Sequence, residues 1–116
     1  MGKKVKDYIY EEYILKQFQG IDKKYKGMVK DIFNVSEDKL CSTKRGDGTK
    51  TLRYVRIIFT KLCYDSGVPI VFIAKILNRC GTNTIYNNIK RYREYYKADE
   101  YFTHLADMAI VWDKNN

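Results

Sequence analysis

Residues 68–97 read V-P-I-V-F-I-A-K-I-L-N-R-C-G-T-N-T-I-Y-N-N-I-K-R-Y-R-E-Y-Y-K, and this stretch decides the fold. A short apolar segment opens at Pro69, breaks over residues 78–81 and restarts at Thr82. In the restarted segment Ile85, Ile89, Tyr92 and Tyr96 recur at i, i+4, i+7 and i+11, the stripe of an amphipathic helix. The remaining faces carry Asn83, Thr84, Asn87, Asn88, Lys90 and Arg91. Amides, hydroxyls and cations on one exposed surface are what the reading of base edges and phosphates requires. Helix, glycine turn and polar-basic helix together predict a helix-turn-helix over about residues 69–97.

Charge points the same way. The chain carries a net +8, and its distribution is uneven. Residues 44–97 hold twelve Lys or Arg against Asp47, Asp65 and Glu94, a local +9. Residues 1–43 are nearly balanced at +2, and residues 98–116 carry −3. A positive field concentrated over one module attracts a polyanion and speeds its capture. Double-stranded DNA is therefore the expected partner.

The other features bound the answer. A chain of 116 residues with 45% hydrophobic content suits one domain with one core. No apolar run approaches eighteen residues, and the opening M-G-K-K-V-K-D-Y has no apolar signal core. No membrane association and a cytoplasmic location are expected. Cys41, Cys63 and Cys80 are odd in number and widely spaced, with His104 the only imidazole, so neither a disulfide framework nor a metal site is expected. Cys63 reads as a small core residue, and Cys80 as an incidental turn cysteine rather than a reactive thiol. Gly48-Thr49-Lys50-Thr51 lacks the first glycine of a phosphate-binding loop, so no nucleotide, cofactor or small-molecule substrate is expected. With no triad and no paired carboxylates, catalysis is not expected either.

Outside the central stretch the pattern is helical throughout, predicting an all-α bundle of about six helices in one domain. Residues 6–19 form a first helix closed by Gly20 as a C-terminal cap, and residues 24–34 a second. Ser36 caps a short turn ending at Leu40. Residues 42–50, S-T-K-R-G-D-G-T-K, form a basic loop. A long helix over 51–66 buries Leu52, Val55, Phe59, Leu62 and Cys63 and is stopped by Gly67. Ile70 to Leu77 is nearly all apolar and is expected to be the most buried segment. A last helix, 99–112, presents Tyr101, Leu105, Met108 and Trp112 to the core.

From about Met28 to Leu105 the chain resembles the C-terminal, DNA-binding domain of the bacterial replication initiator DnaA. The likeness runs through M-V-K-D-I-F-N-V-S-E-D-K-L, the basic S-T-K-R, the long-helix segment L-R-Y-V-R-I-I-F-T-K-L, and I-A-K-I-L-N-R-C-G-T-N-T-I-Y-N-N-I-K-R-Y. Where the family has Asp-His-Ser/Thr-Thr-Val, this chain has Gly81-Thr82-Asn83-Thr84-Ile85, and the segment between Pro69 and Ala74 is about two residues longer. The resemblance implies a Trp-repressor-like helix-turn-helix, without ATPase activity and with a different target sequence. It implies a DNA contact for Arg53, the arginine near the long helix's start, and for Lys44 and Arg45 in the loop. It implies base or phosphate reading for Thr82, Asn83 and Thr84.

The residues themselves support these roles. Arg53 and Arg56 lie three apart on one helix face, away from Leu52, Val55 and Phe59, within reach of one strand's phosphates. Lys44, Arg45 and Lys50 sit in a loop narrow enough to meet a backbone or minor groove. Asn83 and Asn87, one turn apart, suit adenine edges, and Arg91 follows one turn on. The Thr82 hydroxyl is expected to cap the recognition helix. Two other readings remain: a protein-binding adaptor on the same fold, and an RNA-binding protein using Tyr86, Tyr95 and Tyr96 for stacking.

Overall fold

The computed structural model describes residues 5–43, 49–79 and 81–116. Lys44, Arg45 and Cys80 lie outside the described residues. Six helices follow in order: α1 (Val5–Phe33), α2 (Glu37–Leu40), α3 (Lys50–Asp65), α4 (Ile70–Ile76), α5 (Asn83–Tyr95) and α6 (Glu100–Asn115). Among the described residues there is no strand, so the all-α bundle expected from periodicity is what forms.

Helix α3 is the axis of the bundle, and α1, α4, α5 and α6 all pack against it. Val55, Ile58, Phe59, Thr60 and Cys63 on α3 are essentially inaccessible. Around them close Met28 and Val29 of α1, Ile73 and Leu77 at α4, Ile85 of α5 and Phe102 of α6. Burial pushes the Cys63 thiol far above its ordinary range, as a core cysteine requires. Phe102 is the aromatic keystone at one end. Its ring meets Tyr54, Tyr92 and Tyr95 edge-on, with centroids 5.1, 5.4 and 5.6 Å away.

Side-chain caps define the starts of α2, α3 and α6. Ser36 accepts from Lys39 N–H at 3.3 Å, as expected for α2. Thr49 accepts from Leu52 N–H at 3.1 Å, and Asp99 accepts from Phe102 N–H at 2.9 Å. The Gly-Thr-Lys-Thr run thus contributes a helix cap. Besides α5, which is followed by Lys97 at φ 70°, three helices close with a left-handed residue after their last turn. These are Asn34 (φ 55°), Gly67 (φ 94°) and Asn78 (φ 58°). In each, the following N–H reaches back five or six residues, from Val35 to Val29 O, Val68 to Cys63 O and Arg79 to Ala74 O.

Several expectations are corrected. Gly20 does not end a helix. It lies inside a continuous 29-residue α1 of about 43 Å, and no left-handed backbone occurs there. The turn between α4 and α5 takes its left-handed residue from Asn78, and Gly81 does not adopt that conformation. Helix α4 is not the most buried segment, because Val71 is 53% exposed and Lys75 also faces solvent. The α6 core stripe is Phe102, Leu105, Ala106 and Ala109, turned by one residue, which leaves Tyr101 and Met108 on the surface. No helix among the described residues is long and apolar enough to cross a membrane.

Candidate nucleic-acid interface

Helix α5 follows α4 after a short turn and lays one face on α3. Ile85 and Ile89 are buried there, while Tyr92 and Tyr96 are half-buried and stack at 5.7 Å. The opposite face is solvent-exposed and carries Asn83, Thr84, Tyr86, Asn87, Lys90 and Arg91. Glu94 is the only acidic residue of α5, and Lys90 Nζ lies 3.9 Å from it. Both side chains of that pair are exposed, so it adds little stability. From Asn83 to Arg93 the outward surface is free of negative charge.

The start of α5 differs from that of the other long helices after α1. Thr82 occupies the cap position, but its backbone is already helical (φ −92°, ψ −9°) and its hydroxyl makes no capping bond. A cap needs extended backbone to swing its side chain back over the first N–H groups, and Thr82 lacks it. Its carbonyl accepts from Ile85 and Tyr86 N–H at 3.0 and 3.1 Å. No acidic residue lies in the first turn. The positive end of the α5 dipole therefore faces solvent without a carboxylate near it.

Two expected contact residues are engaged within the fold. Asn88 is 6% exposed, and its Nδ2 donates to Thr60 Oγ1 of α3 at 3.1 Å. It sits on the Ile85–Ile89 side of the helix, so it cannot share the outward face. Arg56 is the second. Its Nε donates to Leu40 O at 3.0 Å, and its Nη2 donates to Lys39 O at 2.8 Å and Ser42 O at 3.1 Å. Those carbonyls lie at and just beyond the end of α2, where Lys39 O also accepts from Ser42 N–H at 3.3 Å, and the guanidinium ties them together. Arg79 does the same from the other side. Its Nη1 donates to Ser42 O at 3.2 Å and to Leu77 O at 3.0 Å, tying the α4 end to the α2 end. Nothing in the periodicity marked Arg79, because it stands in a turn, where no stripe exists.

Arg53 and Lys50 remain exposed at the start of α3. Lys50 Nζ lies over the Tyr54 ring at 5.6 Å. Tyr54 touches Tyr95, whereas Thr60 touches Asn88, so α3 and α5 run antiparallel. Lys50 and Arg53 therefore stand toward the C-terminal end of α5, and Asn83 and Thr84 toward the other, about 18 Å apart along the helix. The candidate surface is an elongated strip rather than one cluster.

The tyrosines are mostly tied down. Tyr54 O–H donates to Asp99 Oδ2 at 2.5 Å, and that bond, with some burial, pushes the phenol up to about 12. Tyr96 O–H donates to Asp107 at 2.6 Å, and Tyr95 rests on Phe102. Of the three rings considered for stacking, only Tyr86, 58% exposed, stands open on α5. Among the described residues no group of three or more His, Cys, Asp or Glu side chains is placed to hold a metal ion. Comparison of the chain with family models, with curated proteins and with solved structures finds no match.

Proposed function

We propose that this protein binds duplex DNA through a helix-turn-helix made by α4 and α5, of the type found in the C-terminal domain of the replication initiator DnaA. In this reading α5 is the recognition helix and enters the major groove. The observation that carries it is the outward face of α5. Asn83, Thr84, Asn87, Lys90 and Arg91 are exposed there with no acidic residue before Glu94. Asn83 and Asn87 read base edges, Arg91 and Lys90 meet bases or phosphates, and the open α5 N-terminus faces a phosphate. Lys50 and Arg53 supply backbone contacts at the other end of the strip. Duplex is favoured over single-stranded RNA because Tyr95 and Tyr96 are engaged by Phe102 and Asp107, which leaves Tyr86 as the one open ring on α5 where a stacking platform needs several side by side.

The test is a gel shift with random duplex at two or more salt concentrations. About four to six phosphate contacts give a slope of log K against log salt near −4 to −5. Arg53→Ala is expected to weaken all sequences alike and to flatten that slope by about one. Undetectable binding at low salt defeats the proposal and leaves the adaptor reading.

A further inference from the structure

The interface between α3 and α5 is largely apolar, with Lys61 Nζ over the Tyr92 ring at 5.8 Å and one buried polar pair inside it. Thr60 is wholly buried in the middle of α3, and Asn88 is almost wholly buried in the middle of α5. The Thr60 hydroxyl donates to Arg56 O at 2.8 Å, so its proton is committed within α3. Its oxygen is left to accept, and it does so from Asn88 Nδ2 at 3.1 Å. The pair is directional on both sides.

Apolar contact is not directional. Ile85, Ile89 and Tyr92 hold α5 against α3 and select the face it buries, but a small turn about the helix axis keeps most of that contact. A turn of a few tens of degrees moves Asn88 away from Thr60 and carries Asn83, Asn87 and Arg91 round with it. A buried polar pair that is satisfied in one register only removes the alternatives, as a lone buried asparagine does in coiled coils.

We infer that Thr60 and Asn88 form a rotational lock that positions α5, so that base discrimination depends on a hydrogen bond that never touches DNA. The inference rests on the DNA-binding reading above. It predicts that discrimination and fold stability come apart.

The experiment uses a preferred duplex, obtained by in vitro selection with the full chain, and random duplex as reference. Thr60→Val combined with Asn88→Leu replaces the pair by apolar groups of similar shape. This double variant is expected to melt at or above the wild-type temperature. Its ratio of preferred to random binding is expected to fall about tenfold or more, within the range of one lost base contact. Its salt slope stays unchanged, because no phosphate contact is lost. Thr60→Ser keeps the hydroxyl and loses a buried methyl, so it should melt lower yet keep the wild-type ratio. Should the double variant fail to fold, Asn88→Ala is measured below its melting temperature with the same loss of ratio expected. An unchanged ratio in the double variant, or in Asn88→Ala where that stands in for it, overturns the lock while DNA binding stands. So does an equal loss in Thr60→Ser, or a wild type that binds all duplexes alike. A wild type that binds no duplex overturns the DNA reading and the lock with it.

Discussion

Helices α5 and α6 each press an apolar stripe onto α3, and they differ in what they turn outward. Helix α5 turns out Asn83, Asn87, Lys90 and Arg91. Helix α6 turns out Met108, Val111, His104 and Asp107, and with Ile32 and Trp112 it lines an apolar groove of about 560 Å³. Residues 98–116, which include α6, carry −3. The inward faces are both mainly apolar, Ile85 and Ile89 on α5 and Phe102, Leu105, Ala106 and Ala109 on α6, with Asn88 of α5 the polar exception. The outward faces differ. Under the DNA-binding reading the first suits a polyanion, whereas the second offers mainly apolar side chains. Packing places the helices, and the surface left over decides which class of partner each side accepts.

The largest effect that tests this contrast is on the shared interior. Phe102→Ala removes a fully buried ring that holds the aromatic ends of α3, α5 and α6 together. Chemical denaturation should show a loss of about 3–5 kcal/mol. A loss below about 1 kcal/mol would mean that α6 is not part of the same core.

Next comes the outward face of α5. Asn87→Ala is expected to leave the melting temperature nearly unchanged. Its cost of about 1–3 kcal/mol should appear on a preferred duplex and scarcely on random DNA. A strongly destabilised Asn87→Ala protein would put that side chain inward and exchange the two faces.

The α6 cap gives a pH-dependent test. Asp99 accepts from Tyr54 O–H and from Phe102 N–H, which together hold its carboxyl below the ordinary 3.8. A lowered folded value means that its contribution is complete above 3.8 and is lost as the pH falls through the lower folded value. Asp99→Asn should therefore melt below wild type at neutral pH, and the gap should narrow as the pH is taken down past 3.8. A gap independent of pH would assign the effect to the cap geometry alone. The smallest expected effect is at Val111→Ser on the outer face of α6. Stability should stay within about 0.5 kcal/mol and duplex binding should not move. Weakened DNA binding there would mean that the two outward faces are not divided as described.

Much of this arrangement was legible from spacing alone. Ile85 and Ile89, the α3 stripe through Phe59 and Cys63, the Ser36 cap and the Gly67 stop all appear where local chemistry puts them. Asn88 was misassigned because polarity was weighed before position. It stands three after Ile85 and four before Tyr92, squarely within the stripe. In α6, Tyr101 and Met108 outweigh Ala106 and Ala109 on any hydrophobicity count, yet the alanines are buried. Small residues permit close helix approach, and that depends on the neighbouring helix rather than on the segment itself. Gly20 had the composition of a stop without the left-handed backbone, which Asn34 provides fourteen positions later. The roles of Arg56 and Arg79 could not be read at all, because their acceptors are main-chain carbonyls brought near only by the fold.

Those two arginines also separate two stages of any encounter with a polyanion. A guanidinium whose N–H groups are held by carbonyls keeps its full charge, so Arg56 and Arg79 still extend the positive field into solvent and raise the rate of approach. Part of each donor set is nevertheless spent on main-chain carbonyls, Nε and Nη2 of Arg56 and Nη1 of Arg79. Under the DNA-binding reading, the clasp on Ser42 lets these two cations add to the pull on an approaching backbone while the N–H groups in the clasp stay on the fold.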